Sequence, residues 1–209
     1  MSGDAVLLVH GLWMNRVVML YLARQLRSRG FAARAVGYYS AMHDLGRNAR
    51  ALAGAIAGLD APRVHLVAHS LGGVVTLAAL RDQPDPRVRR IVLLGAPLAG
   101  SASGRSLAAK RWGAPLLGTT RALWGDMPHL AIPPGVEVGA IAGDRRLGLG
   151  RLIGLDVPAP NDGVVAVEET RHPQLADHLV MPIAHSEMLV SSAVARQAAA
   201  FLTSGRFAR

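Results

Sequence analysis

The sequence predicts an α/β fold with a mostly parallel central sheet of about six strands and helices on both faces. Short apolar runs alternate with amphipathic stretches along most of the 209 residues, as is typical of parallel strands joined by helical crossovers. Hydrophobic residues make up 51% of the chain and charged residues 18%, which excludes a disordered protein. We expect one domain, residues 1–209, with a core large enough to need no disulfide.

The first half of the chain contains three predicted strands and three predicted helices. Residues 5–9 are a continuous apolar run, and residues 15–29 place Val18, Leu22 and Leu26 on one helical face. After a strand at 31–38, apolar residues recur every three or four positions over 45–59, and Asp44 stands at the N-cap position. A strand at 64–68 and a helix at 71–80 complete this half.

The second half contains three further predicted strands, at 90–94, 136–141 and 178–183, and a last helix with an apolar stripe from Val190 to Phe201. Two segments interrupt the alternation. Residues 100–134 are rich in Gly, Ser, Trp and Pro and are predicted to form a small cap, and residues 143–162 form a Gly- and Pro-rich loop. Ligand sites in parallel sheets lie at the carboxyl ends of strands, where the cap is expected.

The turn between the third strand and the next helix has the pattern of a nucleophile elbow. Ser70 stands between them in Ala68-His-Ser-Leu-Gly72, with small residues two before and two after the serine. Such a turn holds the hydroxyl clear of the backbone, and the helix amino end favours negative charge. The alternative is an ordinary strand-to-helix turn in which Ser70 caps the helix.

A serine nucleophile needs a base, and the base needs an orienting acid. His185 follows the last predicted strand, at the edge of the sheet where Ser70 is expected. Asp162, in an Asn-Asp-Gly turn 23 residues before His185, is the favoured acid. Asp144, at the end of the fifth strand, is the rival candidate.

An oxyanion hole is predicted from the turn after the first strand. Gly11 allows the backbone to turn sharply, so the amide of Leu12 and that of Leu71 can point at one position above Ser70. Two such donors stabilise a tetrahedral oxyanion. His10 and His69 are interpreted as structural hydrogen-bonding residues.

Together these residues resemble the α/β-hydrolase superfamily, and within it the small bacterial lipases and esterases. Ala68-His-Ser-Leu-Gly72 is similar to the alanine form of their elbow, Asn161-Asp-Gly-Val-Val165 to their acid turn, and His185-Ser186 to their histidine loop. The resemblance covers nearly the whole chain. It implies Ser70 as nucleophile, Asp162 as acid, His185 as base and the Leu12 and Leu71 amides as the oxyanion hole.

The expected activity is that of a serine esterase without a cofactor, acting on a small-molecule ester or a lipid-derived substrate. Short or medium acyl chains are expected, since compact apolar side chains are predicted to form the substrate pocket. Thioesterases, amidases and acyltransferases use the same constellation, so these alternatives stay open. The predicted pocket residues are Leu12, Trp13, Met14, Leu98 and Met188.

A non-catalytic, membrane-associated scaffold is the alternative from another class. The net charge of +9 and Trp112 and Trp124, expected to be exposed, would suit it. No metal site is expected because the histidines lack ligand spacing, and the sequence gives nucleic-acid binding no support beyond its charge. The amino-terminal segment does not resemble a secretory signal, so a cytoplasmic location is expected. The sequence leaves the oligomeric state open.

Overall fold

Six parallel strands form the centre of the computed structural model, which describes residues 4–111, 113, 117–125, 130–147 and 156–209. Their order in the sheet is β2-β1-β3-β4-β5-β6, and every neighbouring pair is parallel. The predicted α/β class and six-stranded parallel sheet are therefore confirmed. The strands are β1 (Ala5–Val9), β2 (Ala32–Val36), β3 (Val64–His69), β4 (Val88–Leu94), β5 (Glu137–Gly143) and β6 (Asp177–Met181).

The strand ends differ from the predicted ones for local reasons. β6 ends at Met181, immediately before Pro182, because proline has no N–H to donate to a neighbouring strand. β2 ends at Val36, and beyond it the backbone N–H of Tyr38 donates to the His10 ring instead of continuing the sheet. Both differences shorten a strand at its carboxyl end, where the turns form one edge of the sheet.

Six α-helices lie within the described part of the chain, with 3-10 turns between them. Asp44 accepts from the N–H of Arg47 at 2.7 Å, so the predicted N-cap of α2 is confirmed. The predicted helix at 15–29 begins as a 3-10 turn, Arg16–Met19, with Asn15 as its cap. The α-helices are α1 (Leu20–Arg27), α2 (Leu45–Ala57), α3 (Leu71–Asp82), α4 (Ala102–Ala109), α5 (Arg121–Gly125) and α6 (Ser192–Ser204).

The hydrophobic core lies on both faces of the sheet. Leu7 and Val9 of β1 belong to a cluster that includes residues of α2 and α3. Val6 and Leu8 belong to a second cluster, formed with residues of α1 and α6. Every residue of β1 is apolar and buried. This is typical of a strand in a parallel sheet that is covered on both sides.

The predicted cap segment contributes α4, a 3-10 turn at Gly118–Thr120 and α5 to the described structure. Trp124 in α5 is only 6% exposed and belongs to the cluster beneath the cap. The expectation that Trp124 is exposed was wrong, because its indole packs against the face of α4. Trp112 lies outside the described residues. Among the described residues, no helix combines the length and apolar content that crossing a bilayer requires.

Candidate active site

Ser70 occupies a strained turn between β3 and α3. Its φ of 54° and ψ of −127° lie where side chains other than glycine are rare. Its N–H donates to the carbonyl of Leu94, and its own carbonyl accepts from the N–H of Gly73, both at 2.9 Å. The Ser70 side chain makes no capping hydrogen bond to α3 within the described structure. The helix-capping alternative is therefore wrong, and the strain holds the hydroxyl in another position.

The glycines after Ser70 allow backbone segments to approach the elbow closely. A Cβ atom on Gly72 would lie 2.5 Å from the carbonyl oxygen of His10, at the end of β1. One on Gly73 would lie 2.5 Å from the Cβ of Ala96, beyond β4. These distances are too short for a real side chain, so α3 begins between the ends of β1 and β4, the two strands that flank β3, only because both positions are glycine.

His185 and Asp162 form a buried hydrogen-bonded pair. Nδ1 of His185 lies 2.7 Å from Oδ2 of Asp162, and the two side chains are 7% and 1% exposed. The backbone N–H of His185 also donates to the carbonyl of Asp162 at 2.9 Å. Because an ionised carboxylate only accepts, the proton of a neutral His185 lies on Nδ1. Nε2 then keeps the lone pair that a general base requires.

The Asp162 carboxylate is also held from its other side. Oδ1 accepts from the backbone N–H of Val164 at 2.9 Å and from that of Val165 at 2.7 Å. An aspartate in an Asn-Asp-Gly turn commonly accepts from amides two and three residues ahead. Asp144, the rival candidate, is exposed at the end of β5. The structure therefore brings Asp162 to His185, whereas it leaves Asp144 in solvent.

Two glycines, to which the sequence reasoning assigned no role, leave room for this pair. Gly95 follows β4 with a φ of +54°, and a Cβ there would lie 2.9 Å from Nδ1 of His185 and 3.0 Å from Oδ2 of Asp162. Gly143 ends β5, and a Cβ there would lie 2.8 Å from that of Asp162. Both glycines stand at the carboxyl ends of predicted strands. This position is the only feature of the sequence that could have assigned them to the site.

The turn after β1 lies against the elbow. A Cβ on Gly11 would lie 3.1 Å from the Cβ of Ser70, so this backbone reaches the serine. Leu12 lines the same cavity as Ser70, and Leu71 is the first residue of α3, where the N–H lacks an acceptor within the helix. Trp13 has a φ of 58°, a second strained residue at this edge. The amides of Leu12 and Leu71 stay the predicted oxyanion hole.

His10 and His69 flank the site as buried hydrogen-bonding residues. The His10 ring accepts from the N–H of Tyr38 at Nε2 and donates to the carbonyl of Gly11 from Nδ1 at 2.9 Å. Burial lowers the pKa of His10. Burial, together with the nearby His185, also lowers the pKa of His69, to about 3. Both imidazoles are therefore neutral near pH 7.

A cavity of about 170 Å³ lies above Ser70 and His185. Leu12, Trp13 and Met14 line it, as the sequence predicts, and Trp124 lines it from the cap. The sequence reasoning did not assign the remaining wall to the pocket, because it comes from the cap, the acid turn and the loops after β4 and β6, segments with no repeating pattern. That wall consists of Pro97, Ser101, Ser103, Gly104, Leu107, Leu117, Val164, Val165 and Ser186.

Two predicted pocket residues lie elsewhere. Leu98 is 6% exposed and packs in the cluster beneath the cap, and its N–H donates to the carbonyl of Glu169 at 2.6 Å. Met188 is fully buried in the cluster on the opposite face of the sheet, near Gly143. Neither is among the described residues that line the cavity, so their assignment to the pocket is corrected. Both were chosen for being apolar, a property that core residues share.

Glu169, also missed by the sequence reasoning, joins two walls of the cavity. One carboxylate oxygen accepts from the N–H of Ala102, at the start of α4, and the other from the N–H of Ala166 at 2.9 Å, just beyond the acid turn. The side chain is 9% exposed. A negative charge at a helix amino end is favourable, so Glu169 stabilises α4 beside the loop that carries Asp162.

The cavity is closed on the cap side by a hydrogen-bonded tryptophan. Nε1 of Trp124 donates to the hydroxyl of Thr120 at 3.1 Å, and this hydroxyl donates to the carbonyl of Leu117 at 2.6 Å. A Cβ on Gly104 would lie 2.7 Å from the indole ring. The indole therefore lies directly against α4, in an orientation that the hydrogen bonds hold.

Solved structures with the same fold include lipases and esterases of low sequence identity. Lipase BlEst2 of Bacillus licheniformis in mature form superposes with a TM-score of 0.71 and 20% identity, over 97% of this chain and 91% of that one. The metagenomic carboxyl esterase MGS0156 gives 0.67 and 20%, over 88% and 65%. The carboxylesterase CesB of Bacillus subtilis gives 0.60 and 14%, over 97% and 84%. No curated protein matches the chain.

A family model also matches the chain. It describes the alpha/beta hydrolase family and covers residues 6–205, from β1 to the end of α6. The parallel sheet, the strained serine elbow after β3 and the His185–Asp162 pair at the carboxyl edge lie within that range. The chain therefore belongs to the alpha/beta hydrolase family.

Proposed function

We propose that this protein is a serine hydrolase without a cofactor, which cleaves carboxylic esters through an acyl-enzyme on Ser70. The observation that carries the proposal is the 2.7 Å hydrogen bond between His185 and Asp162 at the cavity that Ser70 also lines. An imidazole that a carboxylate orients, at the same cavity as a strained serine, is the arrangement that activates a hydroxyl near neutral pH.

The reaction has two half-reactions. Nε2 of His185 takes the proton of the Ser70 hydroxyl as its oxygen attacks the ester carbonyl, and a tetrahedral intermediate forms. The intermediate collapses when His185 gives this proton to the departing alcohol, which leaves the acyl group on Ser70. Water then attacks the acyl-enzyme while His185 takes one of its protons. His185 returns this proton to the Ser70 oxygen as the bond between Ser70 and the acyl group breaks and the acid is released. Asp162 holds the imidazole and stabilises its positive charge throughout.

The amides of Leu12 and Leu71 would stabilise the negative oxygen of each intermediate. Each is a backbone N–H at the elbow: one belongs to the turn after β1, which reaches Ser70, and the other begins α3. Such donors are fixed before the reaction starts and act where charge develops, and the loss of one is typically worth about 3 kcal/mol of transition-state stabilisation.

The size of the cavity supports short or medium acyl chains. The cavity volume is about 170 Å³. It is close to the volume of an engineered apolar cavity, about 150 Å³, which binds a benzene molecule. An acyl group of about six carbons or fewer therefore fits without displacement of the walls. The walls are predominantly apolar side chains such as Leu107, Leu117 and Val165, which favour a hydrocarbon chain.

A fluorophosphonate probe tests the proposal directly, because it reacts with a serine that a working base and oxyanion hole activate. We expect intact-mass analysis to show one adduct on the wild type and none on Ser70→Ala. Ser186→Ala is the matched control, since Ser186 also lines the cavity, and it should still be labelled. p-Nitrophenyl esters of increasing acyl length then measure turnover. A folded wild type that takes no label would refute the proposal.

A further inference from the structure

Five exposed apolar side chains lie near the carboxyl edge of the sheet, where Ser70 and the cavity also lie. They belong to the two segments that leave the carboxyl ends of β1 and β2. Met42 is 71% exposed and Tyr39 63% exposed, far more than such side chains usually are. A contiguous apolar patch on a protein surface is typical of an interaction site. The exposed residues are Trp13, Val17, Leu20, Tyr39 and Met42, and we call them the apolar patch.

The apolar patch is continuous with the proposed active site. Trp13, Tyr39 and Met42 line a second, open groove of about 520 Å³, together with Arg16. Trp13 and Met14 line both this groove and the cavity above Ser70. A molecule bound at the patch would therefore lie directly beside the entrance to that cavity.

Positive charge is concentrated in the same part of the chain. Residues 13–50 contain seven arginines and a single acid, Asp44, so their net charge is +6. The cap segment, residues 100–134, contains four basic residues and one acid, for a net charge of +3. The rest of the chain has twelve basic and twelve acidic residues. These two segments therefore account for the whole net charge of +9.

The two basic segments are neighbours in the structure. The N–H of Thr119, in the cap, donates to the carbonyl of Ala41 at 3.4 Å, next to Met42 of the apolar patch. Arg16 lies in the 3-10 turn that follows β1, and Arg47 and Arg50 lie in the first two turns of α2, which begins at the same edge of the sheet. All three arginines are exposed.

We propose that the apolar patch and the arginines around it dock the protein on an anionic lipid surface. Exposed Trp, Leu, Val and Met side chains enter the boundary between headgroups and acyl chains, while arginines bind lipid phosphates. A lipid surface fits better than a soluble acidic protein, because it offers both an apolar interior and negative charge at one face. The docked protein presents the mouth of its cavity to the lipid.

This docking does not depend on the proposed hydrolase activity. Ser70→Ala, which removes the proposed nucleophile, should bind lipid as the wild type does, so binding and catalysis are tested separately. The binding measurement is co-sedimentation of the protein with vesicles of phosphatidylcholine alone, and with vesicles of equal parts phosphatidylcholine and phosphatidylglycerol. We expect binding to the anionic vesicles only. Raising the salt from about 0.1 M to about 1 M should release the protein, since the Debye length falls from about 10 Å to about 3 Å.

Substitution of the arginines near the patch tests the electrostatic part. Since an arginine close to an anionic surface contributes about 1 kcal/mol, loss of three should weaken binding about 100-fold. The control variant removes three exposed arginines elsewhere and so changes the net charge equally; it should bind anionic vesicles nearly as the wild type does. The test variant is Arg16→Gln, Arg47→Gln and Arg50→Gln, and the control is Arg81→Gln, Arg89→Gln and Arg196→Gln.

Substitution of apolar patch residues tests the hydrophobic part. Val17→Ser, Leu20→Ser and Met42→Ser together should abolish the binding that survives at intermediate salt. The control variant, Val180→Ser with Val190→Ser, changes exposed apolar residues outside the patch. It should keep its binding to anionic vesicles at intermediate salt. Thermal unfolding verifies that each variant is folded. The proposal is overturned if folded wild type does not bind anionic vesicles, if the control variants lose as much binding as the test variants, or if the face binds a soluble acidic protein instead.

Discussion

Nε2 of His69 lies 3.1 Å from the carbonyl oxygen of His185. The residue before the elbow serine therefore donates a hydrogen bond to the backbone of the proposed base. β3, which ends at His69, and the loop after β6 are separated by two strands in the sheet. This hydrogen bond, together with the contact between the two imidazole rings, whose centroids lie 4.6 Å apart, joins them across the carboxyl edge. It requires an imidazole that carries a proton on Nε2.

The stability of the protein should fall as the pH decreases. In the unfolded chain a histidine takes up a proton near pH 6.5, whereas burial lowers the pKa of His69 to about 3 in the folded protein. Between these values the unfolded state binds more protons, so the free energy of unfolding decreases by up to about 1.4 kcal/mol per pH unit for this residue. Urea unfolding at pH values between about 7 and 5 measures the slope.

His69→Gln removes this titration and keeps a side-chain N–H donor. The variant should therefore show a shallower dependence of stability on pH than the wild type. A residual slope is expected from His10 and His65, because burial lowers the pKa of each. An unchanged slope in a folded His69→Gln variant would contradict the assignment of a low pKa to His69.

Ser70→Ala and His185→Ala should each remove nearly all ester hydrolysis. We expect a decrease in kcat of about 10⁴- to 10⁶-fold for either variant, and no further decrease in the double variant, since nucleophile and base act as a unit. Steady-state rates with p-nitrophenyl acetate measure the effect. If the two losses multiplied in the double variant, the two residues would not act together.

Asp162→Asn should lower kcat by about 10³- to 10⁴-fold, somewhat less than loss of the serine or the base. An amide nitrogen facing Nδ1 of His185 favours the tautomer that protonates Nε2, so the imidazole can no longer accept the serine proton. Asp144→Asn is the matched control, since Asp144 is exposed, and it should leave kcat unchanged. The assignment of the acid is wrong if Asp144→Asn inactivates the protein and Asp162→Asn does not.

Gly95→Ala should damage activity more than stability. The added Cβ would lie 2.9 Å from Nδ1 of His185, so the His185–Asp162 pair must move. Gly30→Ala is the control, because Gly30 also has a positive φ, +91°, but a Cβ there meets nothing within 4 Å. Both variants lose about 1–2 kcal/mol from backbone strain. Only Gly95→Ala should lower kcat/KM strongly, as rates and thermal unfolding measured together would show.

Trp124→Leu should shift the preferred acyl chain toward longer esters. The indole closes the cavity against α4, and a leucine leaves part of that volume empty. Trp124→Phe, which loses the hydrogen bond to Thr120 but keeps most of the bulk, should change the profile less. The ratio of kcat/KM for octanoate and butyrate p-nitrophenyl esters measures the shift. An unchanged ratio in Trp124→Leu would mean that another residue limits the chain length.

Features that depend on near neighbours in the chain could be predicted from the sequence. The Asp44 cap involves residues three apart, and the elbow at Ser70 needs small residues two positions away. Apolar runs predict inner strands such as β1 and β3, because burial on both faces of a parallel sheet demands apolar residues throughout. Local spacing also placed Ser70 and His185 at one edge, since the carboxyl ends of parallel strands all meet there.

Only the tertiary structure decided between residues of the same type. Asp162 and Asp144 both follow the fifth strand, yet the turn after residue 160 folds back onto His185, and one carboxylate is buried while the other is exposed. Leu98 and Trp124 are both apolar cap-side residues, and only the indole lines the cavity. Which of two similar residues reaches the site depends on contacts between segments that are distant in the chain. A local sequence pattern carries no information about how such segments pack against each other. The sequence by itself determined the elements and the kind of chemistry; packing between them determined which side chains meet.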